Sequence, residues 1–121
     1  MRFPILLVAL SCVASVTYAA KPARGYDDLV QCAAYMRITA STQHEDGDEE
    51  NAAYSALLSR NLQKRAEAVA GKVGRPKAMV EIDIVKTRAG LLSRMAGLYG
   101  EEHDAFAADM ENGCATVIGM D

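Results

Sequence analysis

Residues 26–41 read YDDLVQCAAYMRITAS, and their spacing decides the fold class. Leu29, Cys32, Ala33, Met36 and Ala40 recur at i, i+3, i+4, i+7 and i+11, which is one apolar face of an α-helix. Asp27 and Asp28 fall in its first turn, where carboxylates favour the positive end of the helix dipole. The helix is expected to end near Ser41. Residues 41–50 (STQHEDGDEE) carry no apolar side chain and read as a solvated loop.

Three more stripes of the same period follow. The second is expected to start near Asp48, an N-cap followed by Glu49 and Glu50, with Tyr54, Leu57, Leu58, Leu62, Ala66 and Val69 facing inward. Gly71 offers its stop, and residues 71–76 (GKVGRP) hold the turn-forming residues of a break. The third runs from about Lys77 to Met95 with Val80, Ile84, Leu91, Leu92, Met95 and Leu98 inward and Arg88 snorkelling. Gly90 and Gly97, seven apart, are expected to mark close helix–helix contact or a frayed helix end. Residues 82–85 (IDIV) could form a short strand, but no second strand exists to pair with it. The fourth follows Gly100, with Glu101, Glu102 and Asp104 in its first turn and Phe106, Met110, Cys114, Val117 and Ile118 inward. The expected fold class is all-α, a small antiparallel bundle of four helices.

Composition agrees with helix. Of 121 residues 21 are Ala and only 3 are Pro, and this length is one domain's worth. The net charge of −3 excludes a general nucleic-acid binder, which would be basic.

The N-terminus reads as a cleaved secretory signal peptide over residues 1–19. Arg2 supplies a positive start, Ile5 to Val16 is uncharged and mostly apolar, and Thr17 and Ala19 place small residues before a cleavage site. That run is too short to span a membrane, which takes roughly 20 apolar residues. Acylation at Cys12 is the rival reading, but Ala9-Leu10-Ser11 fits the acylation pattern poorly. Residues 20–121 then form a single helical domain, periplasmic or secreted, without a membrane span.

Export changes the arithmetic. The remaining 102 residues hold 12 basic and 16 acidic side chains and only 18 of Leu, Ile, Val and Phe. So thin a core needs a staple. Cys32 and Cys114 each lie in phase with a core stripe, one on the first helix and one on the last, and an oxidising compartment favours their pairing. A disulfide linking the first and last helices is therefore expected.

No catalytic constellation is visible, and no cofactor is implied. A C-x-x-C pair, a G-x-S-x-G elbow and a P-loop are missing. An EF-hand register counted from Asp46 meets Asn51 and Leu57 where Gly and Glu are required. His44 and His103 lack ligand partners at helical spacing, so no metal is expected. Charge is more informative. Residues 21–59 net −4, residues 60–94 net +6 and residues 101–121 net −6. The basic members are Arg60, Lys64, Arg65, Lys72, Arg75, Lys77, Lys86, Arg88 and Arg94, which either compensate the neighbouring helices or form a basic face.

The exported, stapled helical plan is similar in outline to immunity proteins that neutralise cell-wall hydrolases in the periplasm. It resembles small periplasmic stress chaperones more distantly. Both likenesses are of architecture, with no shared motif. The expected function is a small exported binding module, an inhibitor or immunity-type protein with one envelope protein as partner. The alternative is a periplasmic stress chaperone or structural protein; an enzyme is not expected. Glu45 and Asp46, at the tip of the acidic loop beside Gly47, are the expected contact residues.

Intact mass of the protein purified from the cell envelope should place the mature N-terminus at Ala20 or Lys21; a lipidated Cys12 terminus would overturn the signal-peptide reading.

Overall fold

The structure, a computed structural model, describes residues 25–119; the signal-peptide reading, the Cys12 alternative and the new N-terminus all lie outside them. Four α-helices account for most of the described chain: α1 over residues 25–45, α2 Glu49–Ala70, α3 Val80–Ala96 and α4 Glu101–Ile118. The segment 82–85 is helical, and no strand occurs among the described residues.

The directions follow from pairs that meet. The Ser59 hydroxyl donates to the Ala33 carbonyl (2.7 Å) and the Ser55 hydroxyl to Gln43 Oε1 (2.7 Å), so α2 runs antiparallel to α1. Cys114 bonds Cys32, and the Tyr35 hydroxyl donates to Glu111 (3.4 Å), so α4 does too. Tyr26 meets Asp83 at one end while Ile38 and Met95 line a common cleft at the other, so α3 runs with α1. The order is up-down-up-down, as expected.

The bundle is not built around four equal stripes. Residues 32–36 of α1 are all buried. Successive helical positions step by about 100°, so five in a row cover the whole circumference. α1 is therefore a central rod, and Tyr26, Val30, Ala34, Tyr35 and Ile38 join the core beyond its expected stripe. Against it α2 buries Ala52, Ser55, Ser59, Leu62, Ala66 and Ala70. Tyr54 and Leu57, expected inside, stand outside at 60% and 46% exposure. The reason is steric. Ala33 and Ala34 leave room for a close approach, and the small Ala and Ser side chains of α2 fill that room beside Leu62, while Tyr54 and Leu57 stay outside it. Both serines are satisfied there by hydrogen bonds, so their burial leaves no orphaned polar atom.

The expected long acidic loop is corrected. α1 continues through Glu45, and only residues 46–48 connect it to α2. Asp48 N–H donates to Gln43 O (2.8 Å) and Gly47 N–H to His44 O (3.0 Å), the paired bonds of a Schellman motif. Gly47 sits at φ 81°, a left-handed conformation that other residues adopt only with strain. Asp48 then caps α2 by accepting from Asn51 N–H. Absence of apolar residues had suggested a loop, but here it marks a helical turn extending past the core. The same closure follows α2. α2 stops at Ala70 with Gly71 as its C-cap, as expected; the 3-10 turn Gly71–Val73 that follows closes at Gly74 (φ 73°), with Arg75 N–H donating to Ala70 O (2.9 Å). Gly90 and Gly97 are exposed and make no close helix–helix contact; Gly97 instead caps the end of α3.

α4 is the least buried helix. Cys114 is its one fully buried residue, with Phe106, Met110, Val117 and Ile118 packed half-buried against the core. The expected disulfide is present, Cα atoms 5.4 Å apart, closing 82 residues of chain. Chain entropy makes a loop of that size worth about 4–5 kcal/mol, comparable to the whole stability of a small domain at about 5–15 kcal/mol.

Cys32→Ala with Cys114→Ala should lower stability by about 2–5 kcal/mol. Amide hydrogen exchange should rise first along Glu101–Ile118. Unchanged melting, or loosening that spares α4, would contradict this account.

Candidate functional site

α3 is set in rotation by two carboxylates on its first turn, one on each flank. Asp83 accepts from the Tyr26 hydroxyl (2.6 Å) and from Arg75 through Nη2 (2.6 Å) and Nε (3.1 Å). Glu81 accepts from both Arg37 terminal nitrogens (2.7 and 3.0 Å) and from Gln63 Nε2 (3.1 Å). Gln63 also accepts from Arg37 (2.8 Å), tying α1, α2 and α3 together at one point. Two-pronged Arg–carboxylate pairs fix orientation as well as supplying energy.

The electrostatics follow from these contacts. Burial first, and then Asp83, push the Tyr26 phenol up to about 12. Burial would raise Asp83, but the hydrogen bonds from Tyr26 and Arg75 and the Arg75 charge hold it below the ordinary carboxylate range. The Arg37 hydrogen bond, reinforced by its charge, does the same to Glu81 against the opposing effect of burial.

With α3 so oriented, Val80, Ile84 and Leu91 face the core. The opposite consequence is a second apolar stripe left outside. Ile82, Val85 and Leu92 are 43%, 51% and 39% exposed, with Ala89 between them. Leu92, expected in the core, belongs to this outer stripe. Beside it, a groove of about 390 Å³ runs between α3 and α2. Ala40 and Ser41 of α1 and Ala56 and Ser59 of α2 line it with small side chains, Val85 forms the α3 wall, and Arg60 and Arg88 flank it.

The basic residues divide. Arg75 clasps Asp83, Arg65 donates to the Val117 carbonyl at the end of α4 (3.0 Å), and Arg94 lies 4.8 Å over the Phe106 ring. These three compensate neighbouring helices, one of the two expected outcomes. Arg60 and Arg88 have no carboxylate partner among the described residues and stand at the groove.

Glu45 and Asp46 are exposed, as expected, but on a short hydrogen-bonded turn at the end of α1. Beside them His44 bonds Glu49 (2.9 Å), and that hydrogen bond together with the Glu49 charge raises the imidazole pKa. Neither residue lines the groove, although Glu45 follows the groove residue Ser41 by one turn on the same face of α1. Among the described residues no group of three or more His, Cys, Asp or Glu side chains is placed to hold a metal ion. Every buried side-chain polar atom described has a hydrogen-bond partner. No described helix is long and apolar enough to cross a membrane.

The outer α3 stripe was not singled out from the sequence. Its signal is there: residues 82, 85, 89, 92 and 96 repeat at three and four alongside the core stripe, giving α3 more apolar arc than one core contact uses. No family model, curated protein or solved structure matches the chain.

A carboxylate whose pKa is depressed by folding adds stability above its unfolded value and loses it as pH falls through the folded one. Stability should therefore decline below about pH 4. Asp83→Asn should cost about 1–3 kcal/mol at neutral pH and make the acid-side decline shallower. An acid limb identical in the variant and the parent would show that Asp83 is not among the groups responsible.

Proposed function

We propose that the protein is a small exported helical binding module of the inhibitor or immunity type, acting in the periplasm or outside the cell on one envelope protein. The observation that carries this reading is the exposure of Leu57, Ile82, Val85 and Leu92 on a scaffold stapled by a disulfide. Aliphatic side chains left in water beside cations, on a frame already rigid, suit recognition of a partner at little ordering cost. The disulfide and the lack of a membrane-crossing helix among the described residues are compatible with an extracellular location.

The contact surface in this reading is the face between α2 and α3. Glu45 and Asp46 act on approach, contributing negative charge that steers association, since a closed turn cannot reach into a partner as a flexible arm would. The chaperone alternative calls for a Met-rich apolar surface. Met36 is instead buried, and Met95 and Met110 pack half-buried on the core, which favours the binding module.

Val85→Asp with Leu92→Asp should leave the melting temperature nearly unchanged, as at other surface sites. It should abolish a single partner that co-purifies one-to-one with the parent from envelope extract. Glu45→Ser with Asp46→Ser should slow association without abolishing it, and high salt should remove the difference. If the parent instead suppresses aggregation of many unrelated unfolded proteins and retains no stoichiometric partner, the chaperone reading replaces this one.

A further inference from the structure

We propose that the groove between α2 and α3 seats one amphipathic helical segment of a partner protein, with aliphatic side chains on its inner face and carboxylates along its flanks. The inference rests on the binding-module reading and names the partner's chemistry.

Shape comes first. Ala40, Ser41, Ala56 and Ser59 form a trough because their side chains are short, and Val85 rises beside it. Ile82, Val85 and Leu92 continue the apolar surface along three turns of α3, about 15 Å at 1.5 Å per residue. That length matches a helical segment of roughly 10–12 residues anchored at i, i+3 or i+4, and i+7.

Charge selects among occupants. Arg60 and Arg88 flank the trough, and neither has an ion-pair partner among the described residues. The third arginine there, Arg37, is already engaged by Glu81 and Gln63. The groove therefore carries two unused positive charges in a protein that is acidic overall, and a carboxylate-bearing helix would engage both. A second copy of this chain would not. A two-fold interface centred on the groove brings Arg60 and Arg88 against their own equivalents, and like charges in close apposition are costly. An anionic membrane is also a poor fit. The surface is concave, none of its lining residues is aromatic, and the whole chain carries a net charge of −3.

The test uses the full mature chain and three defined probes: an 18-residue helical peptide with leucines at helical spacing and glutamates on its flanks, its counterpart with every glutamate replaced by lysine, and vesicles of anionic phospholipid. Titration followed by nuclear magnetic resonance should show the glutamate peptide perturbing residues of the groove and the outer α3 stripe. Its affinity should exceed that of the lysine peptide by about tenfold or more and weaken with salt. Arg60→Glu with Arg88→Glu should reverse the preference between the two peptides, and Val85→Asp should weaken both. Circular dichroism and melting of these variants should match the parent, which checks that the fold is intact. Any of four results overturns the proposal: no binding of the glutamate peptide up to about 1 mM, equal binding of both peptides, tighter binding to vesicles than to peptide, or a concentration-dependent dimer that occupies the same residues. If the peptide fails while Val85→Asp with Leu92→Asp still loses the envelope partner, the binding module stands and only the helical partner falls.

Discussion

The close packing of α2 on the alanine-rich middle of α1 is the contact on which the remaining geometry depends. Ala33 and Ala34 are completely buried, and the Ser59 hydroxyl reaches the Ala33 carbonyl at 2.7 Å. Backbones can come that near only where the side chains between them are small. The approach has two consequences. It turns α2 so that its larger apolar residues, Tyr54 and Leu57, point away from α1. It also leaves the other faces of α1 for α3 and α4, so that residues 32–36 of α1 are enclosed on every side.

Enclosing a helix this way spreads the apolar content unevenly. α1 supplies most of the buried side chains, whereas α4 buries Cys114 and leaves its other apolar residues half-covered. Hydrophobic burial scales with apolar area removed from water, so α4 gains less from packing than its partners. The disulfide supplies the difference by restricting the unfolded chain, independently of how much surface α4 covers. A chain with few large apolar residues can thereby keep four helices.

Polar contacts then determine how α3 is rotated about its own axis. Glu81 and Asp83, two positions apart and on opposite flanks, are each held by an arginine, and Tyr26 adds a third anchor. Partly buried pairs of this kind specify orientation more surely than they add net stability. Here they turn Val80 and Ile84 inward and hold Ile82 and Val85 outward. The exposed aliphatic stripe is the back of that rotation, on which the ion pairs and the burial of Val80, Ile84 and Leu91 agree, and Arg60 and Arg88 stand at the groove without a carboxylate partner among the described residues.

Local periodicity and residue chemistry were enough to read the all-α class, the four helices, the Asp48 cap and the Cys32–Cys114 pairing, because each depends on spacing along one helix or on the chemistry of the residues themselves. The phase of α2, the length of the acidic connection and the placement of Leu92 were decided by tertiary structure. An apolar stripe states which side chains prefer burial, but which face meets a neighbour depends on how close two backbones can come. The candidate face between α2 and α3 belongs to that second class. It exists because Ala56 and Ser59 meet Val85 across a gap, and residues nearly thirty positions apart become neighbours only after three helices have packed.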